Sequence, residues 1–224
     1  RRSVVTAEFR PISAAAVSSS VSVLDPNANG DLINHLDELL SRAANVNLAS
    51  GASRARFFQI RGIGERSQFV EPVNPSVGIL LDGIDLSGAG GALTLFDVQQ
   101  IEVLRGPQGT LMGANALAGL IAVQSNGVDS DALDISVGME NKGGYRLGAR
   151  WGGFLTNTMN ARLAVQQYES DGYVDNDYLN RSDTNSREEL TARGTLTWTS
   201  ETHTCLLYTS PSPRDRTRSR MPSS

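Results

Sequence analysis

Side chains able to do chemistry are scattered through this sequence. Its 224 residues hold two histidines and one cysteine. His35 falls on a predicted helix with Asp31 one turn before it, the spacing of a helix-surface pair. His203 lies close to Cys205, and no Ser/His/Asp or metal-ligating group can be assembled. Residues 25–30 begin like a calcium loop, but its twelfth position is Leu36 where a bidentate glutamate is required. Gly62-Ile63-Gly64 is followed by Ser67 where a dinucleotide fingerprint needs its third glycine. Residues 106–113 lack the Gly-Lys-Ser/Thr of a phosphate loop. The sequence therefore assigns no catalytic residue, no metal ligand and no cofactor, and the protein is not expected to be an enzyme. The net charge of -4 argues against nucleic-acid binding.

The strongest local feature is Ile101-Glu102-Val103-Leu104-Arg105-Gly106-Pro107-Gln108-Gly109-Thr110-Leu111-Met112-Gly113. It reads as a strand, a tight turn and a short helix. The elements around it are short. Residues 1–16 form an extended lead, and residues 17–24 a strand. Asn29 or Asp31 can cap a helix running to about Ala44, with Leu32, Ile33, Leu36, Leu39 and Leu40 on one face. Residues 57–61 read as a strand ending at Gly62, and residues 62–76 as a polar loop. Asp82-Gly83 joins strands 77–81 and 84–86 as a hairpin turn. A short helix is expected near residues 95–99, before the strand at 101–104. A Gly-interrupted helix at 111–118 and a strand at 120–124 complete a compact α+β unit.

After about Gly127 the texture changes. Leu133, Ile135, Val137 and Met139 alternate with Asp134, Ser136, Gly138 and Glu140. Tyr145, Leu147, Ala149 and Trp151 follow the same rule, as do Met159, Ala161, Leu163 and Val165, and then Leu190, Ala192, Leu196 and Trp198. Four successive strands thus show one apolar and one polar face. No stretch reaches the roughly 18 apolar residues of a spanning helix. A soluble sandwich would hide such an apolar face against a second sheet, whereas an outer-membrane barrel shows it to lipid; the short link at 152–158 and the long acidic one at 170–189 favour the barrel, although the first outer link, 141–144, is short as well. Trp151 and Trp198 both end descending strands, where an interfacial girdle places them.

From Cys205 the composition shifts abruptly. Residues 205–215 can be encoded by the transposase adapter of short-read DNA sequencing, and residues 219–224 by its downstream primer. Residues 205–224 are accordingly expected to be translated adapter and are set aside from fold reasoning. Without their four arginines and one aspartate the remainder is more acidic and has no cysteine.

The segment Ile101–Gly113 resembles the plug signature of TonB-dependent outer-membrane receptors. The resemblance continues through Asn115, Ala118-Gly119 and Ile121. Upstream, Ile60-Arg61-Gly62-Ile63-Gly64, Pro75-Ser76-Val77-Gly78 and Leu81-Asp82-Gly83-Ile84 fall in the order the plug expects. It implies an α+β plug domain, a small mixed sheet with short helices, at residues 17–127. The first four antiparallel strands of a transmembrane β-barrel follow at residues 131–204. Family members close a barrel of about 22 strands around the plug, and take up a scarce ligand, such as a metal chelate or cobalamin, across the outer membrane of a Gram-negative bacterium. The periplasmic protein TonB supplies the energy by pulling on the plug.

The same resemblance implies site residues. Ser3-Val4-Val5-Thr6-Ala7 is similar to the family's coupling box, so Val4, Val5, Thr6 and Ala7 are expected to contact TonB. β-branched residues there favour an extended backbone, which can add as a strand to a partner's sheet edge. Arg61, Glu102 and Arg105 are expected to pair with charges of the barrel wall. Glu65, Arg66, Gln68 and Phe69, in the loop after Arg61-Gly62, are the candidate ligand contacts. Expected partners are TonB, outer-membrane lipid and a small-molecule or metal-chelate ligand, with the receptor a monomer and nucleic acid excluded. Two other classes stay open: a signalling or interaction receptor of the same fold without transport, and a soluble α+β enzyme. The chain reads as cut at both ends and as unable to transport by itself. The natural reading frame is expected to run past Thr204 through many more alternating strands, which the parent gene's sequence checks; a gene stopping near Thr204 contradicts the barrel.

Overall fold

The computed structural model describes residues 4–5, 12–17, 19–28, 33–49, 57–66, 73–88, 93–112, 115–128, 132–140, 143–171, 174–176, 181–184, 186–199 and 204–209. The chain divides into two compact units, Arg1–Asn126 and Gly127–Ser224.

Unit 1 contains strands β1 (Val4–Val5), β2 (Ile12–Ser13) and β3 (Ser20–Leu24), helix α1 (Leu36–Leu40), strands β4 (Val46–Ala49), β5 (Phe57–Ile60), β6 (Val77–Leu81), β7 (Ile84–Asp85) and β8 (Val98–Arg105), helix α2 (Gly109–Met112) and strand β9 (Gly119–Ser125). Five strands form a mixed sheet in the order β3-β8-β9-β6-β7, and β4-β5 and β1-β2 are separate two-stranded ladders. Within the sheet β6 and β9 run parallel, Val77 opposite Gly119 and Leu81 opposite Val123; the other pairs are antiparallel. Leu36, Leu39 and Leu40 of α1 pack with Phe58, Ile60, Ile79, Ile101, Val103 and Ile121 in one apolar core. Each fully buried side chain of this size contributes about 1.5–3 kcal/mol.

Several expectations are corrected by local constraints. The helix expected from residue 29 or 31 to about 44 covers only Leu36–Leu40. Asn34 and His35 are held extended against the chain at Leu93–Leu95: Leu36 N–H donates to the Leu93 carbonyl at 3.1 Å, and Leu95 N–H to that of Asn34 at 2.8 Å. A helix cannot start until that ladder ends. His35 is its N-cap residue and fully buried, not a member of a surface pair. Asn34 Nδ2 lies 3.1 Å from His35 Nε2, so Nε2 accepts and Nδ1 donates to Glu38 at 3.1 Å. Asp31 lies outside the described residues.

The helix expected at 95–99 is a turn instead. Asp97 takes a left-handed backbone, φ 59, and β8 begins at Val98. Strand β4 went unread because Val46-Asn47-Leu48-Ala49 is too short for a period to show. The Asp82-Gly83 turn forms as expected, both residues having positive φ (50 and 85), as a two-residue hairpin of the twisted kind requires.

Unit 2 contains β10 (Ala132–Glu140), β11 (Gly144–Thr156), β12 (Met159–Ser170), β13 (Val174–Asn176), β14 (Arg181–Thr184), β15 (Arg187–Thr199) and β16 (Thr204–Thr209). The sheet order is β10-β11-β12-β15-β16, with β13-β14 a separate hairpin in the long link. Strand β16 pairs with β15, Trp198 opposite Cys205, and falls largely in the segment expected to be translated adapter. Cys-Leu-Leu-Tyr-Thr is β-prone whatever its origin.

The faces of this sheet are inverted relative to a water-soluble one. Leu133, Ile135, Val137, Met139, Leu147, Leu163 and Leu190 are exposed, whereas Arg146, Gln166, Glu189, Thr191 and Arg193 are buried. Register aligns the buried residues in rows: Arg146 opposite Tyr168, itself opposite Glu189, and Gly148 opposite Gln166, itself opposite Thr191. An apolar surface of this extent is stable against lipid and costly against water. The unit is thus an open antiparallel sheet with the face pattern expected of barrel-wall strands. Among the described residues no helix is long and apolar enough to cross a membrane, which says nothing of crossing by strands.

One glycine fixes how closely the strands of unit 1 pack. A Cβ on Gly119 would lie 2.4 Å from the Leu104 carbonyl oxygen and 2.7 Å from Ile60 Cδ1. Backbone cannot yield as a flexible side-chain tip can. Gly119→Ala is expected to destabilise unit 1 by about 3 kcal/mol, read as earlier proteolytic cleavage within residues 1–126 while unit 2 is unaffected.

Candidate functional site

The expected coupling segment is docked rather than free. Val4 and Val5 pair with Ser13 and Ile12, Val5 being fully buried and Val4 exposed. Thr6 and Ala7 lie outside the described residues. The Val4 carbonyl accepts from Gln100 Nε2 at 3.1 Å. The same amide nitrogen lies 2.7 Å from Glu102 Oε1 and 3.1 Å from Gln124 Oε1. Two N–H bonds thus serve three acceptors, so one is shared. Residues 100 and 102 share one face of β8, and Gln124 stands opposite Gln100 across the β8–β9 ladder. Glu102 is fully buried, which requires such polar neighbours.

Arg105, at the other end of β8, is buried too. Its Nε and Nη2 donate to the Ala44 carbonyl at 3.1 and 2.8 Å, and Nη1 to Ser22 Oγ at 2.9 Å. Burial first, and then the neighbouring Arg61 charge, pull its pKa below the ordinary value; a guanidinium remains charged at neutral pH all the same. Arg61 and Gly62 (φ 55 and 79) form a two-residue turn between Ile60 and Ile63, which exchange both backbone hydrogen bonds. The Arg61 N–H donates to the Asn45 carbonyl at 2.9 Å, and its side chain is exposed.

The three residues grouped in sequence as plug–barrel charges therefore separate. Arg61 and Arg105 meet beside Ala44 and Asn45, and Glu102 lies with Gln100 and Gln124.

Of the ligand candidates, Glu65 is already engaged. Its Oε1 accepts from both the N–H and the Oγ of Ser76 at 2.8 Å, and its carbonyl accepts from Gln59 Nε2 at 3.3 Å. The side chain ties the loop to the start of β6. Arg66 is exposed, and Gln68 and Phe69 lie outside the described residues. Sequence reading missed Gln100, Gln124, Ser22 and Ser76. Polar residues interrupting apolar strands at 100 and 124 were the available signal for two of them. Among the described residues no group of three or more His, Cys, Asp or Glu side chains is placed to hold a metal ion.

Residues 13–120 match the family model described as TonB-dependent Receptor Plug Domain. Two relatives are the pesticin receptor of Yersinia pestis, 33% identical over 148 residues covering 64% of this chain and 21% of the receptor, and the vitamin B12 transporter BtuB of Vibrio vulnificus, 29% identical over 125 residues covering 53% and 20%. The chain thus spans about a fifth of the length of the curated relatives it matches. Among solved structures, the ferric yersiniabactin uptake receptor FyuA from Yersinia pestis superposes with a TM-score of 0.73 at 22% identity, covering 88% of this chain and 32% of that one. The pyoverdine receptor FpvA from Pseudomonas aeruginosa gives 0.73 at 16%, covering 92% and 29%. These similarities establish the shared fold.

Arg105→Ala strands the Ala44 carbonyl and Ser22. It is expected to cost about 3 kcal/mol, seen as faster hydrogen exchange along β3 and β8. Arg105→Lys should recover less than half, since an ammonium lacks the planar fork that spans both acceptors.

Proposed function

We propose that this chain carries the plug domain of a TonB-dependent receptor of the Gram-negative outer membrane together with the first strands of its barrel, and that the parent protein takes up a scarce ligand across that membrane with energy delivered through TonB. The observation that carries this reading is the succession of a mixed sheet by one that turns its apolar side chains outward and buries Arg146 and Arg193. The relatives are named for pesticin, vitamin B12, ferric yersiniabactin and pyoverdine. The ligand class we assign is accordingly an iron chelate, cobalamin or a comparable nutrient. The chain contributes four long paired strands, β10, β11, β12 and β15, to a wall of about 22, so transport belongs to the whole receptor.

Val4, Val5, Thr6 and Ala7 are assigned to contact with TonB, and the extended backbone of Val4–Val5 is of the kind a partner sheet can receive as an added strand. Since Val5 is buried and the Val4 carbonyl bonded to Gln100, that segment must first leave the plug. Arg61, Arg105 and Glu102 are the plug charges assigned to pairing with the barrel wall; Arg61, exposed and held by its turn, is the most available. Arg66, Gln68 and Phe69 are assigned to ligand contact, with Glu65 shaping their loop through Ser76.

Deletion of the parent gene tests the reading, with growth on iron chelates, vitamins and glycans as the measure. The wild-type gene is expected to restore growth on one ligand class. Val5→Pro, which removes a backbone donor from the added strand, should bind ligand at the cell surface normally yet fail to support uptake. Unimpaired uptake by that variant refutes coupling through this segment. Growth of the deletion strain on every ligand refutes uptake.

A further inference from the structure

The chain leaves unit 1 through Ser125, Asn126 and Gly127, and two aspartates hold that exit. Asp82 accepts from the Ser125 N–H at 2.8 Å and from Ser125 Oγ at 2.7 Å. Asp97, buried and left-handed in its backbone, holds the next residue by two groups. Its Oδ1 accepts from Asn126 Nδ2 at 3.0 Å, and its carbonyl accepts from the Asn126 N–H at 3.1 Å. The residue that follows, Gly127, is exposed and has nothing within 4 Å of where a Cβ would stand. An asparagine followed by glycine leaves the backbone nitrogen unobstructed beside the side-chain carbonyl, since no Cβ screens it.

We propose that Asn126–Gly127 is a latent deamidation site at the plug's exit, and that Asp97 is the positioning residue that guards it. In the reaction the Gly127 backbone nitrogen bonds to Asn126 Cγ, the Cγ–Nδ2 bond breaks, and ammonia leaves carrying the proton from the glycine nitrogen. Water then opens the cyclic imide at one carbonyl or the other, leaving an aspartyl or an isoaspartyl linkage. Water is the sole co-reactant. Cγ must first swing onto the glycine nitrogen, and the two hydrogen bonds to Asp97 oppose that swing. Once it has happened, a carboxylate faces the Asp97 carboxylate where an amide donor stood, and like charges repel. The contact cannot re-form, so the change is one-way. In the isoaspartyl product one more methylene enters the backbone between the plug and the strands after it.

The test ages the 224-residue chain in detergent micelles beside the same chain in denaturant, and follows Asn126 by peptide mass mapping. Asn29–Gly30, the other Asn-Gly pair of the sequence, serves as the reference. The folded chain is expected to slow Asn126 deamidation at least about tenfold, the factor carried by one hydrogen bond to a charged acceptor. Asp97→Ala should remove most of that protection without changing Asn29. Equal Asn126 rates with and without denaturant overturn the proposal, as does an unchanged rate in Asp97→Ala. Should that variant also accelerate Asn29, unfolding is the cause. Asp97→Ser, too short to reach Asn126, then decides: an unchanged Asn126 rate overturns the proposal, and a selective rise supports it.

Discussion

The rest of unit 1 depends on strand β8, because it is buried on both faces and must satisfy polar groups on one of them. Its backbone is paired on either side, with β3 and with β9, as a buried strand requires. Ile101 and Val103 face the apolar core. On the other face Gln100 and Glu102 are held by each other, by Gln124 and by the Val4 carbonyl. Arg105 closes the strand on Ala44 and Ser22. One eight-residue strand therefore fixes the core, seats the N-terminal segment and presents the arginine end of the plug.

Unit 2 obeys the opposite rule of burial. Its leucines face outward, and Arg146, Gln166, Glu189 and Arg193 are buried. A water-soluble sheet cannot hold such an arrangement, since it exposes leucines while desolvating charges. Lipid removes the first cost, and rows of opposed polar residues such as Arg146, Tyr168 and Glu189 reduce the second. Glycines 138, 144, 148 and 152 share the buried polar face, leaving room between the long side chains.

Legibility in the sequence tracked how many residues each inference could draw on. The strands of unit 2 alternate over nine to thirteen residues, so their faces could be read with little error. Asp82-Gly83 and the Ile101–Gly113 segment carry local stereochemistry, and both gave the right elements. The helix around α1 was overextended because its leucines kept helical spacing, while a bridge to Thr94 held His35 extended. That bridge spans 59 residues of sequence and leaves no local trace. The supposed helix at 95–99 failed for a single left-handed residue, Asp97. Glu65 and Arg105 were marked as functional from type and position; the partners that occupy them, Ser76 and Ala44, come from elsewhere in the fold.

The central claim is that a plug sheet is followed in one chain by a wall whose apolar face meets lipid. The most direct measurement places single spin labels along β10 and β11 of the receptor reconstituted in lipid vesicles. Labels at Ile135, Val137 and Leu147 should respond to a relaxant dissolved in the lipid, and labels at Ser136 and Gly148 should not. If the two sets respond alike, or if the second set is the one that senses lipid, the wall is wrongly oriented and the account fails.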